Sequence, residues 1–294
     1  MKTGVVGLGA MGRGMAACLY RAGFLQCVWN RSEARATDFA RKYPVVVAAA
    51  IDELAAGCDV ILLCVSADDD VRQVVEQLLP SIRPGAVVVD TSTVSRQTAQ
   101  QAARRLAERG AHFLDAPVSG GVEGARQGRL AMMVGGSAEV LQRVLPVLQA
   151  ISANIEHMGD VGSGQATKAA NQIMAAGINQ AVTEALAFAE AEQLPMDKVI
   201  QVLSSGAAAN WFLQHRGKTM VEGSFDAGFR LALHHKDLEI CKAMAARFDV
   251  QLPLIEMTLI HYRRLMAEGF GDEDISSLFR HKRRMFQAGE EPPY

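Results

Sequence analysis

Lys2-Thr3-Gly4-Val5-Val6 runs straight into Gly7-Leu8-Gly9-Ala10-Met11-Gly12, and a helix-period pattern through Met15, Leu19 and Tyr20 continues to Gly23. Strand, glycine turn and helix in this order allow a pyrophosphate to approach backbone N–H groups at a helix N-terminus, where the dipole favours negative charge. The glycine spacing alone is a weak signal. Its frame makes it specific, because a strand-like run, Gln26 to Trp29, follows at the distance that a βαβ unit requires. Gly7, Leu8, Gly9, Ala10, Met11 and Gly12 are therefore the expected pyrophosphate loop of a bound dinucleotide.

The residues after the second strand speak to which dinucleotide. NAD-selective sites place an acid there to accept hydrogen bonds from the adenosine ribose. This chain has Asn30-Arg31-Ser32 instead. An acid would repel a 2′-phosphate, whereas an amide, a guanidinium and a hydroxyl would bind one through charge-assisted hydrogen bonds. The expectation is NADP(H), with NAD as the other possible cofactor.

Further outward, Asp59 to Val65, Ala86 to Asp90, Phe113 to Ala116 and Ala131 to Gly135 read as strands separated by helical or turn-rich stretches, and Ala138 to Leu148 reads as a helix. Such alternation predicts an α/β domain with a parallel, doubly wound sheet. Ligands in such sheets lie beyond the carboxyl ends of the strands, which selects Cys64-Val65-Ser66, Thr91-Ser92-Thr93 and Pro117-Val118-Ser119-Gly120-Gly121 as lining candidates. Asp68-Asp69-Asp70 precedes a helical pattern from Val71 to Leu79 and is read as helix capping; no metal site is expected.

Gly162-Ser163-Gly164-Gln165-Ala166-Thr167-Lys168-Ala169-Ala170-Asn171-Gln172 opens a run to Gln193 with no proline and apolar residues at helical spacing. At ~1.5 Å per residue such a helix spans on the order of 45 Å, enough to join two bodies. Lys168 lies in its first turns, with Asn171 and Gln172 three and four residues on, so amine and amides share a face. An amine so placed is a candidate proton donor and acceptor.

Size and composition set the frame. At 294 residues the chain exceeds the usual limit of a single core, so two domains are expected. A net charge of -2 gives no global basic field for nucleic acid. The five cysteines, Cys18, Cys27, Cys58, Cys64 and Cys241, include no Cys-x-x-Cys pair and read as reduced core residues. No apolar run approaches the ~18 residues of a membrane helix, and the expected location is cytoplasmic.

Taken in order, Gly7 to Gly12, Asp115-Ala116-Pro117-Val118-Ser119-Gly120-Gly121, Gly164 to Asn171 and Lys236-Asp237-Leu238 make the chain resemble the β-hydroxyacid dehydrogenases over nearly its whole length. The resemblance implies an N-terminal Rossmann dinucleotide-binding domain, residues 1–161, and a C-terminal all-α substrate and dimerisation domain, residues 162–294, joined by the long helix. It also implies homodimers or homotetramers and a small substrate with a carboxylate. Lys168 falls on the catalytic lysine, Ser119, Gly120 and Gly121 on the substrate-carboxylate cradle, Val65 and Thr93 on cofactor-lining positions, and Lys236 on a lysine beside the cofactor. Asn171 is followed by Gln172 where many relatives carry two asparagines, so either amide is a candidate to orient the substrate. Many 3-hydroxyisobutyrate dehydrogenases end the second strand with an acid. Asn30-Arg31 resembles the NADPH-using aldehyde reductases instead, which leaves glyoxylate, succinic semialdehyde and tartronate semialdehyde as substrates. The implied chemistry is interconversion of a small hydroxy acid and its aldehyde acid. Lys168 would be general acid and base, its amine made neutral by burial or by a neighbouring cation such as Lys236. Imine reduction on the same scaffold and a catalytically silent nucleotide-binding module are the alternatives; relatives of the first kind usually replace the lysine.

In the second half, Met196 to Leu203 reads as a helix, Asn210-Trp211-Phe212 as a loop carrying specificity candidates, and His234-His235-Lys236-Asp237 as part of a helix running to Phe248. Adjacent histidines on a helix diverge by about 100°, so both are expected to be structural. Leu254 to about Ala267 and Ile275 to Met285 read as the remaining helices. Arg280-His281-Lys282-Arg283-Arg284 is expected to complement the last dipole, and Glu290 to Tyr294 to form a loose tail.

Overall fold

The computed structural model describes residues 1–288, so the expected tail at Glu290 to Tyr294 lies outside the described residues. The chain divides into a unit from Met1 to Lys168 and a second from Ala169 on. The first contains β1 (Thr3–Val6), α1 (Ala10–Arg21), β2 (Leu25–Trp29), α2 (Glu33–Lys42), β3 (Val46–Val47), α3 (Ile51–Gly57), β4 (Val60–Leu63), α4 (Asp68–Leu78), β5 (Val87–Asp90) and α5 (Arg96–Ala107). It continues through β6 (His112–Asp115), β7 (Val118–Ser119), α6 (Gly121–Gln127), β8 (Leu130–Gly135), α7 (Ala138–Gln149) and β9 (Ser152–Gly159).

The strands β1, β4 and β5 are buried at every residue, as expected of parallel strands covered by helices on both faces. Two apolar clusters flank the sheet, one containing Met15, Leu19 and Val144, the other Leu54, Val75 and Leu106. Strand order is β3-β2-β1-β4-β5-β6-β8-β7, with β9 on β8. The first six form the 3-2-1-4-5-6 order of a dinucleotide-binding Rossmann sheet. The parallel pattern then stops, since β8 runs antiparallel to β6 and β7, and β9 runs parallel to β8. Between β6 and β8 lie only a two-residue strand and a seven-residue helix. The chain thus turns back beside β6 instead of making a full crossover.

The acids Asp68, Asp69 and Asp70 occupy the first turn of α4, where they complement its dipole, but the capping position is Ala67. Asp68 instead accepts from Ser95 N at 2.9 Å and Thr98 Oγ1 at 2.6 Å at the start of α5. None of the five cysteines is in a disulfide, and four of them are buried.

A single helix, α8 (Ser163–Ala191), begins in the first unit and continues into the second. Its 29 residues correspond to roughly 44 Å. The second unit continues with α9 (Met196–Leu203), α10 (Trp211–Val221), α11 (Leu231–Ala246), α12 (Pro253–Ala267) and α13 (Leu278–Ala288). Its core includes Leu186, Leu213, Met220, Leu238, Leu259 and Phe279.

Three sequence expectations need correction here. Asn210 is the N-cap of α10, its side chain accepting from Leu213 N at 2.8 Å, so Trp211 and Phe212 start a helix and not a loop. The last segment opens as a 3-10 turn, Ile275–Ser277, before α13. The basic run 280–284 lies in the body of α13 and makes ion pairs in place of a dipole contact. Lys282, 1% exposed, meets Glu184 at 2.6 Å, Arg283 meets Glu190, Arg280 meets Glu273 and Arg284 meets Glu268. Among the described residues no helix is long and apolar enough to cross a membrane.

Candidate active site

In the first unit the site begins as a row of strand ends in register. Val6 pairs with both Trp29 and Leu63, Leu63 with Asp90, and Asp90 with Asp115. The residues just beyond this edge, Gly7, Asn30, Cys64, Thr91 and Ala116, therefore lie along one rim.

At that rim Gly7 has φ +99°, donates to Trp29 O at 2.9 Å, and has the Cys64 carbonyl where a Cβ would sit. A Cβ at Gly12 would collide with the Gly7 carbonyl. The chain itself thus requires both glycines. Gly9 differs, because a Cβ there would meet nothing within 4 Å. It caps α1, whose first turn carries no acid, and its missing side chain leaves the helix N–H groups open to an anion. This is the fit a dinucleotide pyrophosphate requires.

Asn30 closes the loop, accepting from Leu8 N through Oδ1 at 2.8 Å and donating from Nδ2 to Ser32 O at 2.9 Å. Its amide is thus occupied at both ends. Arg31 is 82% exposed and pairs with Asp70 at 3.1 Å. Ser32 precedes α2 without a side-chain capping bond.

Further along the rim, burial pushes the Cys64 thiol up to about 11. Val65 N donates to Ser92 Oγ at 2.9 Å, and Ser92 N to Asp90 Oδ1 at 2.9 Å. Gln165, from the first turn of α8, clamps the next loop. Its Oε1 accepts from Val94 N at 3.1 Å and its Nε2 donates to Ser92 O at 2.8 Å, on either side of Thr93. Asp115 accepts from Gly162 N at 2.7 Å and Gln165 N at 2.9 Å. Burial raises its pKa, opposed by N–H donation from Gly162, Gln165 and Gly164. Lys168 follows within α8 and is 7% exposed. In the stretch after β6, Gly120 and Gly121 have φ of +129° and +63°.

The second unit holds its own polar chain. Asn171 Nδ2 donates to Gln172 Oε1 at 2.9 Å, Gln172 Nε2 donates to Asp237 Oδ2 at 2.6 Å, and Lys236 pairs with Asp237 Oδ1 at 2.9 Å. Gln172 is 1% exposed with both ends of its amide engaged, whereas Asn171 is half-buried. The fully buried His234 bonds the Tyr262 hydroxyl at 3.0 Å. Phe212 is a core residue at 8% exposure, while Trp211 is 60% exposed and stacks on His215. Sequence reasoning assigned no role to Asp115, Gln165 or Asp237. The partners of Asp115 and Gln165, and the Gln172 partner of Asp237, lie 47 to 73 positions away, beyond any local pattern.

Residues 2–159 match the family described as the NAD binding domain of 6-phosphogluconate dehydrogenase. Residues 162–281 match the one described as NAD-binding of NADP-dependent 3-hydroxyisobutyrate dehydrogenase. An oxidoreductase of Shewanella frigidimarina is 39% identical, covering 94% of this chain and 96% of its own length. The 2-hydroxy-3-oxopropionate reductase of Escherichia coli is 34% identical, covering 95% and 96%. Among solved structures, Mycobacterium tuberculosis 3-hydroxyisobutyrate dehydrogenase with L-serine superposes with a TM-score of 0.86 at 30% identity, covering 96% of this chain and 99% of that one.

Proposed function

Because this chain belongs to the β-hydroxyacid dehydrogenase family of NAD(P)-dependent oxidoreductases, we propose that it interconverts a small aldehyde acid and its hydroxy acid with NADP(H), using Lys168 as general acid and base. In this reading residues 1–161 bind the cofactor and residues 162–294 serve substrate binding and assembly into a homodimer or homotetramer.

The observation that carries the reading is Lys168 itself: a 7% exposed lysine on the helix whose first turn is tied to the strand-end rim through Asp115 and Gln165. Lysines are almost never fully buried unless paired, and this one is buried three residues beyond Gln165, beside the rim. When bound, the nicotinamide supplies or accepts the hydride. In reduction, Lys168 Nζ donates its proton to the carbonyl oxygen; in oxidation it takes the hydroxyl proton. Backbone N–H groups of Ser119, Gly120 and Gly121 hold the substrate carboxylate. Asn171 orients the reacting oxygen, while Gln172, engaged by Asp237, orients Asn171. Val65, Thr93 and Lys236 line the cofactor.

The relatives named for 2-hydroxy-3-oxopropionate and 3-hydroxyisobutyrate share substrates with oxygen at the carbon β to a carboxylate, which supports a short acid of that kind here. The test is kcat/KM with NADPH across 2-hydroxy-3-oxopropionate, glyoxylate, succinic semialdehyde and methylmalonate semialdehyde, in wild type and Lys168→Ala. A general acid typically contributes ~10²–10⁴-fold, so kcat should fall by that factor with NADPH affinity unchanged. Lys168→Arg should rescue poorly, because a guanidinium does not give up its proton. If Lys168→Ala keeps more than about a tenth of wild-type kcat, the chemistry lies elsewhere.

A further inference from the structure

The start of α8 is held by a carboxylate that lies far away in sequence. Gly162 N and Gln165 N donate to Asp115, 47 and 50 positions earlier, at the very end of β6. Asp115 is fully buried, and a carboxylate in such a place is costly unless donors surround it. Room for it exists because neighbouring side chains are absent. A Cβ at Gly135 would collide with Asp115 Oδ1, and one at Gly164 would collide with the Met133 and Asp115 carbonyls. Gln165 supplies a second tether, since its amide bridges Ser92 O and Val94 N around Thr93. One turn of helix is thereby fastened to the ends of both β5 and β6, and Lys168 lies three residues beyond the second tether. A helix cap needed only for stability can come from the residue next to the helix; here two separate strand ends are used, both on the proposed cofactor and substrate rim.

We propose that Asp115 and Gln165 are positioning residues for the reaction, fixing where α8 starts against β5 and β6 and so where the Lys168 amine is delivered. The inference rests on Lys168 being the proton carrier. It assigns no contact with substrate to either residue; both act through the lysine.

Gln165→Met and Asp115→Asn test it. The first keeps side-chain length and the backbone bond to Asp115 but deletes both loop tethers; the second keeps shape but replaces an acceptor oxygen with an NH₂ facing an N–H. Misplacement of a catalytic group by about 1 Å can cost ~10²-fold, so kcat should fall roughly ten- to hundredfold while KM for the acid and Kd for NADPH move by less than about threefold. Made in the Lys168→Ala background, neither substitution should lower the residual kcat further, because the group being positioned is gone. An equal loss in that background, a parallel loss of NADPH affinity, or an unimpaired Gln165→Met would each overturn the inference. Should Asp115→Asn fail to fold, Gln165→Met decides alone. Wild-type turnover in Lys168→Ala would remove the proton-carrier reading and this inference with it. An inactive Lys168→Ala beside an unimpaired Gln165→Met would remove the inference only.

Discussion

At position 30 a carboxamide provides the oxygen that closes the glycine loop onto Leu8 N. An aspartate could accept the same hydrogen bond but would place a full negative charge where a 2′-phosphate would lie. Asparagine thus preserves the loop and, with NADP(H) as the proposed cofactor, would avoid that repulsion. Beside it, the Arg31–Asp70 pair is 82% exposed on the arginine side, and such pairs are worth only ~0–1 kcal/mol, so a phosphate can displace the carboxylate. Arg31→Ala should weaken NADPH binding by on the order of tenfold to hundredfold, the ~1.5–3 kcal/mol of one charge-assisted contact, and leave NADH binding unchanged. Asn30→Asp should shift preference the same way while keeping the loop closed. Fluorescence titration with both cofactors checks this, and equal losses for the two would reject the role. The Asn30-Arg31-Ser32 triplet was legible in the sequence as a departure from the acidic pattern. That Asn30 faces inward and Arg31 has a rival partner was not, because Leu8 and Asp70 lie 22 and 39 positions away.

At the scale of elements, the turn from β7 into α6 tests the substrate cradle. Gly120 and Gly121 both have positive φ, where any other residue strains the backbone and a side chain would cover the N–H groups. Gly121→Val should therefore raise KM for an acid substrate by about tenfold or more, the equivalent of ~1.4 kcal/mol, with NADPH binding retained. An unchanged KM in steady-state kinetics would remove the cradle. Elements of strong period were readable in advance: β1, α1 and β4 follow from unbroken apolar runs and glycine punctuation, and α8 from its long helical spacing. Weakly patterned ones were not. β9, Ser-Ala-Asn-Ile-Glu-His-Met-Gly, is mostly exposed and shows no clean alternation, so only its pairing with β8 makes it a strand. The start of α10 was misread because Trp211-Phe212 suggested an aromatic loop, although Asn210 before an apolar run is an N-cap signal. The basic run of α13 looked like dipole complementation because two of its four partners, Glu184 and Glu190, lie 98 and 93 positions away.

For the molecule as a whole, two histidines of the helical unit contribute to the response to acid. His261 and His281 lie with ring centroids 4.4 Å apart; burial first, then the charges of Lys282, His281 and Arg264, holds His261 down to about 3, and burial first, then Arg264, Lys282 and Arg284, holds His281 down to about 4. Gln180 Nε2 approaches His261 Nδ1 at 3.2 Å; an amide N–H only donates, so that nitrogen must keep its lone pair. In the unfolded chain both rings take a proton near 6.5. Both folded values are depressed, so their stabilising contribution is complete above about pH 6.5 and is lost progressively as the pH falls towards 4 and then 3. At pH 5 each histidine accounts for up to about 2 kcal/mol, a large part of a typical ~5–15 kcal/mol of folding stability. Asp115 works in the opposite sense, since its raised pKa makes protonation easier in the folded state, and it contributes nothing to acid unfolding. Urea unfolding at pH 7 and pH 5 should therefore show a marked loss at the lower pH in wild type and a much smaller one in His261→Gln/His281→Gln. Each protein's own pH 7 value serves as its reference, so the cost of the substitutions cancels. Equal losses in the two proteins would show that acid sensitivity comes from the carboxylates and that these rings protonate freely in the fold.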